Sequence, residues 1–302
     1  MNSSGMVNYL RLLRCDQWVK NIIVLFPLFF GHKITDPVLL LRCIVAALLF
    51  CLVASAVYCF NDVCDREIDR RHPLKCQRPV AAGVISVRTA FMVMIGALLV
   101  VASFCVVAPL VSPLFDHFIQ LLPLFAFYLL LNIAYSLWLK HVAVVDVLVL
   151  AAFYVIRLYV GSMATGIVNS RWIVLMTFLL ALLLGIGKRR DDIMRHAATG
   201  EVLRHSTVGY SIPFVDAAMG VVGGVTIVCY IMYTMSADVM TSVGSDYLFT
   251  TSIFVIAAVL RFLQLAIIKG ESGDPSRLLL TDRFLHICVL CWMCCFLFFI
   301  YL

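Results

Sequence analysis

The chain has 302 residues, 63% of them hydrophobic and 13% charged, with a formal net charge of +6. That much apolar surface is more than one soluble core of this length can hide, and so little charge is incompatible with a disordered chain. The composition therefore predicts an all-α, polytopic membrane protein. Twelve cysteines in so long and apolar a chain do not read as a disulfide scaffold. Cys51, Cys59, Cys105, Cys229 and Cys288 sit inside apolar runs as small fillers, and Cys291, Cys294 and Cys295 lack the second pair that a metal site needs.

Residues 1–20 carry Arg11, Arg14, Asp16 and Lys20 and have no short basic region leading straight into an apolar core, so no cleavable signal peptide is expected. Nine apolar segments follow, near 21–34, 43–60, 90–111, 118–137, 143–162, 172–187, 212–235, 247–268 and 284–302. The first is short, is broken by Pro27 and draws on the amphipathic stretch before it. With the N-terminus placed in the cytoplasm, most of the 23 Lys and Arg fall on the inner face. Lys33, Arg42 and Arg171 lie outside, and Arg157 and Arg261 fall within spans. The positive charge thus belongs to one membrane face rather than to nucleic-acid binding. No linker or shift in composition divides residues 1–302, which read as one integral-membrane domain.

The inner loop after the second span begins Asn61-Asp62-Val63-Cys64-Asp65-Arg66-Glu67-Ile68-Asp69. Asp62, Asp65 and Asp69 are spaced i, i+3, i+7, which on a helix puts three carboxylates on one face. Like charges so close repel unless a cation compensates them. Hard oxygen ligands at this density, completed by a phosphate, suit Mg²⁺. The bland alternative is a solvated helix end neutralised by Arg66, Arg70 and Arg71. The position of the motif directly off a span, its leading Asn61, and the basic stretch Arg70-Arg71-His72-Pro73-Leu74-Lys75 before Arg78-Pro79 favour the cation site.

Asn61-Asp62-x-x-Asp65-x-x-x-Asp69, followed by Arg78-Pro79-Val80-Ala81-Ala82-Gly83, resembles the first signature of the UbiA-type intramembrane prenyltransferase superfamily. The resemblance implies a UbiA-like bundle of nine helices with catalytic loops after spans 2 and 6. Most members carry a second acidic pair, DxxxD, in the later loop. Here Gly187-Lys188-Arg189-Arg190-Asp191-Asp192 is followed by Arg195 and His196 at the spacings where that pair would close. This departure resembles the decaprenyl-phosphate phosphoribosyltransferase branch. So do Gln17-Trp18-Val19-Lys20-Asn21, Ala134-Tyr135-Ser136 with Lys140-His141, and Leu280-x-Asp282-Arg283. The branch implies transfer of a 5-phosphoribosyl group from phosphoribosyl diphosphate to a polyprenyl phosphate, with release of diphosphate.

Under that reading Asp62 and Asp65 hold Mg²⁺ on the donor diphosphate, with Asp69 a direct or water-mediated ligand. Lys20, Arg70, Lys75, Arg78, Lys140, Lys188 and Arg189 offset the repulsion between two anionic substrates, Lys75 and Arg78 nearest the donor. Lys188 and Arg189 hold either phosphate. Tyr135 is a phosphate hydrogen-bond donor. Asp192 binds the ribose hydroxyls or a second metal, or makes a salt bridge to Arg189 or Arg195. Asp146 and Arg157 lie on one span but about 16 Å apart along it, too far to pair; Arg261 reaches the interface by snorkelling. Two rivals remain: a prenyltransferase acting on an aromatic acceptor, and a transporter lined by Asp146, Arg157 and Arg261.

Overall fold

The computed structural model describes residues 3–71, 75–199, 209–268, 278 and 281–301. His72, Pro73, Leu74 and Leu280 of the motifs above lie outside the described residues. All regular structure among the described residues is helical: α1 Ser3–Leu13, α2 Phe26–Phe30, α3 Pro37–Cys64, α4 Arg66–Arg71, α5 Val87–Val111, α6 Leu121–Leu137, α7 Val145–Thr165, α8 Arg171–Thr199, α9 Ile212–Thr234, α10 Ala237–Val243, α11 Ser252–Ile267 and α12 Arg283–Tyr301. Seven segments are long and apolar enough to cross a membrane, among them Pro37–Cys64, Val145–Thr165 and Arg171–Ala197, and Arg283–Phe299 is a shorter apolar helix. The protein is an integral membrane protein. The first expected span takes another form. Residues Cys15–Leu25 wind as a 3-10 helix, and only Phe26–Phe30 after it are α-helical.

The chain forms two compact units, Met1–Trp138 with Ile156–Asn169, and Leu139–Val155 with Ser170–Leu302. In the first, α3 starts on Asp36, whose carboxylate caps the backbone N–H groups of Val38 and Leu39, with Pro37 in the first helical position. Its 28 residues make about 42 Å of helix, more than the roughly 30 Å of a bilayer's hydrocarbon, so its last turns emerge where carboxylates can be hydrated or paired. Phe50 on α3 packs on Phe125 and Tyr128 of α6, with ring centroids 6.1 and 4.7 Å away.

The 3-10 segment is fastened to its neighbours by polar groups. Ser55 Oγ donates to the Leu13 carbonyl at 2.7 Å and accepts from Trp18 Nε1 at 3.1 Å. Asn21 is buried; it donates to Cys51 Sγ at 3.1 Å and accepts from Arg157 Nε at 2.9 Å. Arg157 also lies over the rings of Phe50 and Tyr128. Gly161 lets α7 meet this segment directly, since a Cβ there would stand 1.8 Å from the Val24 carbonyl oxygen.

The second unit is organised around an ion pair. Arg189 on α8 is 1% exposed; its Nε donates to Asp146 Oδ2 at 2.6 Å and its Nη1 to Asp192 at 2.8 Å. Asp146 Oδ1 accepts from the Tyr210 hydroxyl at 2.5 Å and from the Val147 N–H at 2.9 Å, and Tyr210 in turn accepts from the Val144 N–H at 2.7 Å. Burial, then the hydrogen bond to Asp146, pushes the Tyr210 phenol up, so it stays the donor. Around this pair Leu183, Ile186, Val215, Met219, Phe262 and Leu265 form an apolar core. Arg190 binds Asp216 at 2.6 Å and the carbonyls of Ala266 and Ile267 at the end of α11.

Two substitutions test this account by thermal unfolding of the purified protein in detergent. Gly161→Ala forces a backbone apart and should cost about 1–3 kcal/mol, the usual price of overpacking. Asp146→Ala strands the buried guanidinium and should cost about 3–5 kcal/mol, partly recovered when Arg189→Met is added. An unchanged melting temperature in either single variant would contradict the packing described.

Candidate active site

The carboxylate cluster forms where α3 gives way to α4. Asp65 breaks the helical geometry with φ −88° and ψ 3°, yet Asp65 N–H still reaches Asn61 O and Asp69 N–H reaches Asp65 O, both at 2.8 Å. The register therefore carries across the break. Asp62 and Asp69 are each 2% exposed, and Asp65 is half-buried.

Two guanidinium groups stand among these carboxylates. Arg78 Nη1 lies 2.6 Å from Asp69 Oδ2 and 3.5 Å from Asp62 Oδ1. Arg14 Nη2 is paired with the same Asp62 Oδ1. Arg78 is delivered by a turn whose Val80 and Ile85 plug into an apolar cluster with Leu12, Cys59 and Ala90. Gly83 closes the turn at φ +77°, and Arg70 pins it by donating to the Ala81 carbonyl at 3.1 Å while pairing with Glu67. Arg14 comes from the opposite end of the unit's sequence. It sits at φ 49° and ψ 51° between α1 and the 3-10 segment, with its guanidinium 4.8 Å from the Tyr58 ring centroid. Arg14 entered the sequence reading only as one basic residue among several, because no local pattern ties residue 14 to residue 62.

Other expected site residues distribute between the units. In the first, Ser136 donates to Asn61 Oδ1 at 2.5 Å, so the end of α6 that carries Tyr135 is brought to the acidic cluster. Lys75 is half-buried on the short 3-10 turn Lys75–Gln77, and Lys20 is half-buried on the Cys15–Leu25 segment. In the second, half-buried Lys140 follows α6 and exposed Lys188 precedes the buried Arg189 on α8. Asp192 takes the salt bridge to Arg189, and Asp191 pairs with Arg195 at 2.8 Å.

The charges that a transport pathway would have needed are engaged elsewhere. Asp146 is bound by Arg189 and Tyr210, and Arg157 by Asn21. Arg261 does not simply snorkel; it makes an ion pair with Asp282 at 2.6 Å and bonds Gln264 at 2.7 Å. All twelve cysteines are free thiols.

Among the described residues no group of three or more His, Cys, Asp or Glu forms a ready-made metal cage. The trio expected from the spacing is interrupted by Arg14 and Arg78. Yet Asp62 Oδ2 is buried with no hydrogen-bond partner among the described residues. A buried carboxylate oxygen left open, beside Asp69 and Asp65, fits a cation whose shell is completed by a ligand's phosphate oxygens rather than by protein alone.

A model of the UbiA prenyltransferase family matches residues 22–288. The decaprenyl-phosphate phosphoribosyltransferase of Corynebacterium glutamicum is 30% identical over 305 residues, covering 99% of this chain and 88% of that relative. The enzyme of the same name from Mycolicibacterium smegmatis is 32% identical over 301 residues, covering 96% of this chain and 90% of its own. The solved structure of a UbiA homolog from Archaeoglobus fulgidus, bound to GPP and Mg²⁺, superposes with a TM-score of 0.67 at 21% identity over 98% of this chain and 100% of that one. The helical architecture, the Asn61–Asp69 motif and the match over most of its length together establish that this chain is an enzyme belonging to the UbiA prenyltransferase family.

Proposed function

We propose that the protein transfers a 5-phosphoribosyl group from phosphoribosyl diphosphate to a polyprenyl phosphate of the decaprenyl type and releases diphosphate. The observation that carries this reading is the state of the second unit's carboxylates. Asp191 and Asp192 are each taken by an arginine, and Asp146 lies under Arg189. A second acidic metal cluster, suited to a prenyl diphosphate donor, thus has no free carboxylate pair in the described Lys188–Arg195 run. The exposed Lys188 that heads this run suits an additional anionic phosphate. Relatives named decaprenyl-phosphate phosphoribosyltransferase at 30–32% identity support the same substrates.

In this reading the protein is one catalytic domain of nine passes in the inner membrane, with its N-terminus and active site cytoplasmic. Asp62, Asp65 and Asp69 hold Mg²⁺, and Asn61, fixed by Ser136, orients the first of them. When bound, Mg²⁺ takes up the negative charge that builds on the departing diphosphate. The C1–O bond to diphosphate breaks, and an oxygen of the lipid phosphate forms the new C1–O bond. That phosphate is already ionised near neutrality, so no general base is required; it must be held in line.

Lys75 and Arg78 bind the donor diphosphate, and the carboxylates favour the oxocarbenium character that develops at C1. Lys20, Lys140, Lys188 and Tyr135 supply charge and hydrogen bonds to the remaining phosphates. Arg70 shapes the turn that carries Arg78, and Arg189 and Asp192 hold each other in a salt bridge beside Lys188.

The test is incorporation of radiolabelled phosphoribosyl diphosphate into polyprenyl phosphate by the purified protein. Label should enter the lipid phase, stop when a chelator removes divalent metal, and resume on adding Mg²⁺. Asp65→Asn, at the half-buried member of the trio, should lower turnover by about 10²-fold or more while leaving the melting temperature near wild type. Prenylation of an aromatic acid, with no label in lipid, would overturn the assignment.

A further inference from the structure

We infer that Arg14 is an exchangeable counterion of Asp62. It neutralises that carboxylate in the metal-free protein and moves its charge onto the ligand's diphosphate when a divalent cation claims the carboxylate. The inference rests on the reading of Asp62 as a metal ligand and adds a positioning and binding role for a residue outside the acidic motif.

The two oxygens of Asp62 are differently used. Oδ1 is bound by Arg14 and approached by Arg78 at 3.5 Å, while the buried Oδ2 has no hydrogen-bond partner among the described residues. A cation entering at Oδ2 would stand beside a guanidinium already on the same carboxylate, and like charges so close repel strongly where water is excluded. One of the two arginines must yield. Arg78 stands 3.5 Å from Asp62 and makes its close contact, at 2.6 Å, with Asp69, so Arg14 is the guanidinium seated on the contested carboxylate. Arg14 pairs with Asp62, and its side chain retains 23% exposure.

The surroundings let the side chain move while the backbone stays. Leu12 is fully buried, the Leu13 carbonyl is bound by Ser55, and Trp18 is tied to the same hydroxyl. These anchors hold Arg14 in a left-handed conformation that a non-glycine residue adopts at a cost. The Tyr58 ring beneath the guanidinium offers a resting face that does not depend on the carboxylate. A planar guanidinium released beside a diphosphate can bind it with two parallel hydrogen bonds.

The experiment measures equilibrium binding to the full chain in detergent, with Mg²⁺ alone and then inorganic diphosphate in the presence of Mg²⁺. Arg14→Gln should bind Mg²⁺ alone on the order of tenfold more tightly, because the competing cation is gone. The same variant should bind Mg²⁺–diphosphate on the order of tenfold more weakly, because the ligand's cation is gone. A structural role alone would move both affinities down together or neither, and either result overturns the exchange. Should Arg14→Gln not be recovered folded, Arg14→Lys decides. A lysine pairs less well with a buried carboxylate, so Mg²⁺ alone should bind about two- to threefold tighter, and equal or weaker binding overturns the inference. Opposite shifts in a protein whose wild type transfers no phosphoribosyl group would keep the exchange and remove the donor assignment instead.

Discussion

The protein depends on compensating the buried carboxylates at the end of a membrane-length helix. Asp62 and Asp69 are almost wholly buried, and an uncompensated buried charge is among the most expensive features a fold can carry. Two guanidinium groups compensate them, Arg14 and Arg78, drawn from either side of α3 in the sequence. Much of the first unit serves to bring these two groups in. The 3-10 segment clamped by Ser55, Asn21 and Gly161 follows directly on Arg14 and holds its backbone, and the plugged turn at Val80 and Ile85 carries Arg78.

The second unit meets the same constraint with the opposite arrangement. There a guanidinium, Arg189, lies at the centre, and carboxylates of Asp146 and Asp192 surround it. The result is a buried hydrogen-bonded network with Tyr210 and the Val144 backbone. In the first unit two guanidinium groups flank the carboxylates instead, and one Asp62 oxygen has no hydrogen-bond partner among the described residues.

The all-helical membrane class, most of the spans and the acidic motif are readable from the sequence because each is a local pattern. Apolar runs of about twenty residues and a carboxylate spacing of three and four report directly on helix geometry. The first segment escaped that reading. Its apolar content is right, but Pro27 and the close approach of Gly161 favour a 3-10 path whose anchors lie on α3 and α7. Arg261 and Arg189 escaped it too. A cationic side chain near a span's end looks alike in sequence whether it reaches water, as snorkelling assumes, or a carboxylate such as Asp282 or Asp146.

By itself, then, the amino-acid order determined a polytopic helical chain with three aspartates in register at the end of one span, and a basic run where a second acidic pair would stand. Those properties follow from helical periodicity and local composition. Only the tertiary structure decided which cations meet which carboxylates: Arg14 and not merely its neighbours on Asp62, Arg78 on Asp69, Arg189 sealed against Asp146. Pairings across 48 or 43 residues are chosen by how helices pack and by the need to neutralise every buried charge, and no spacing along the chain encodes them.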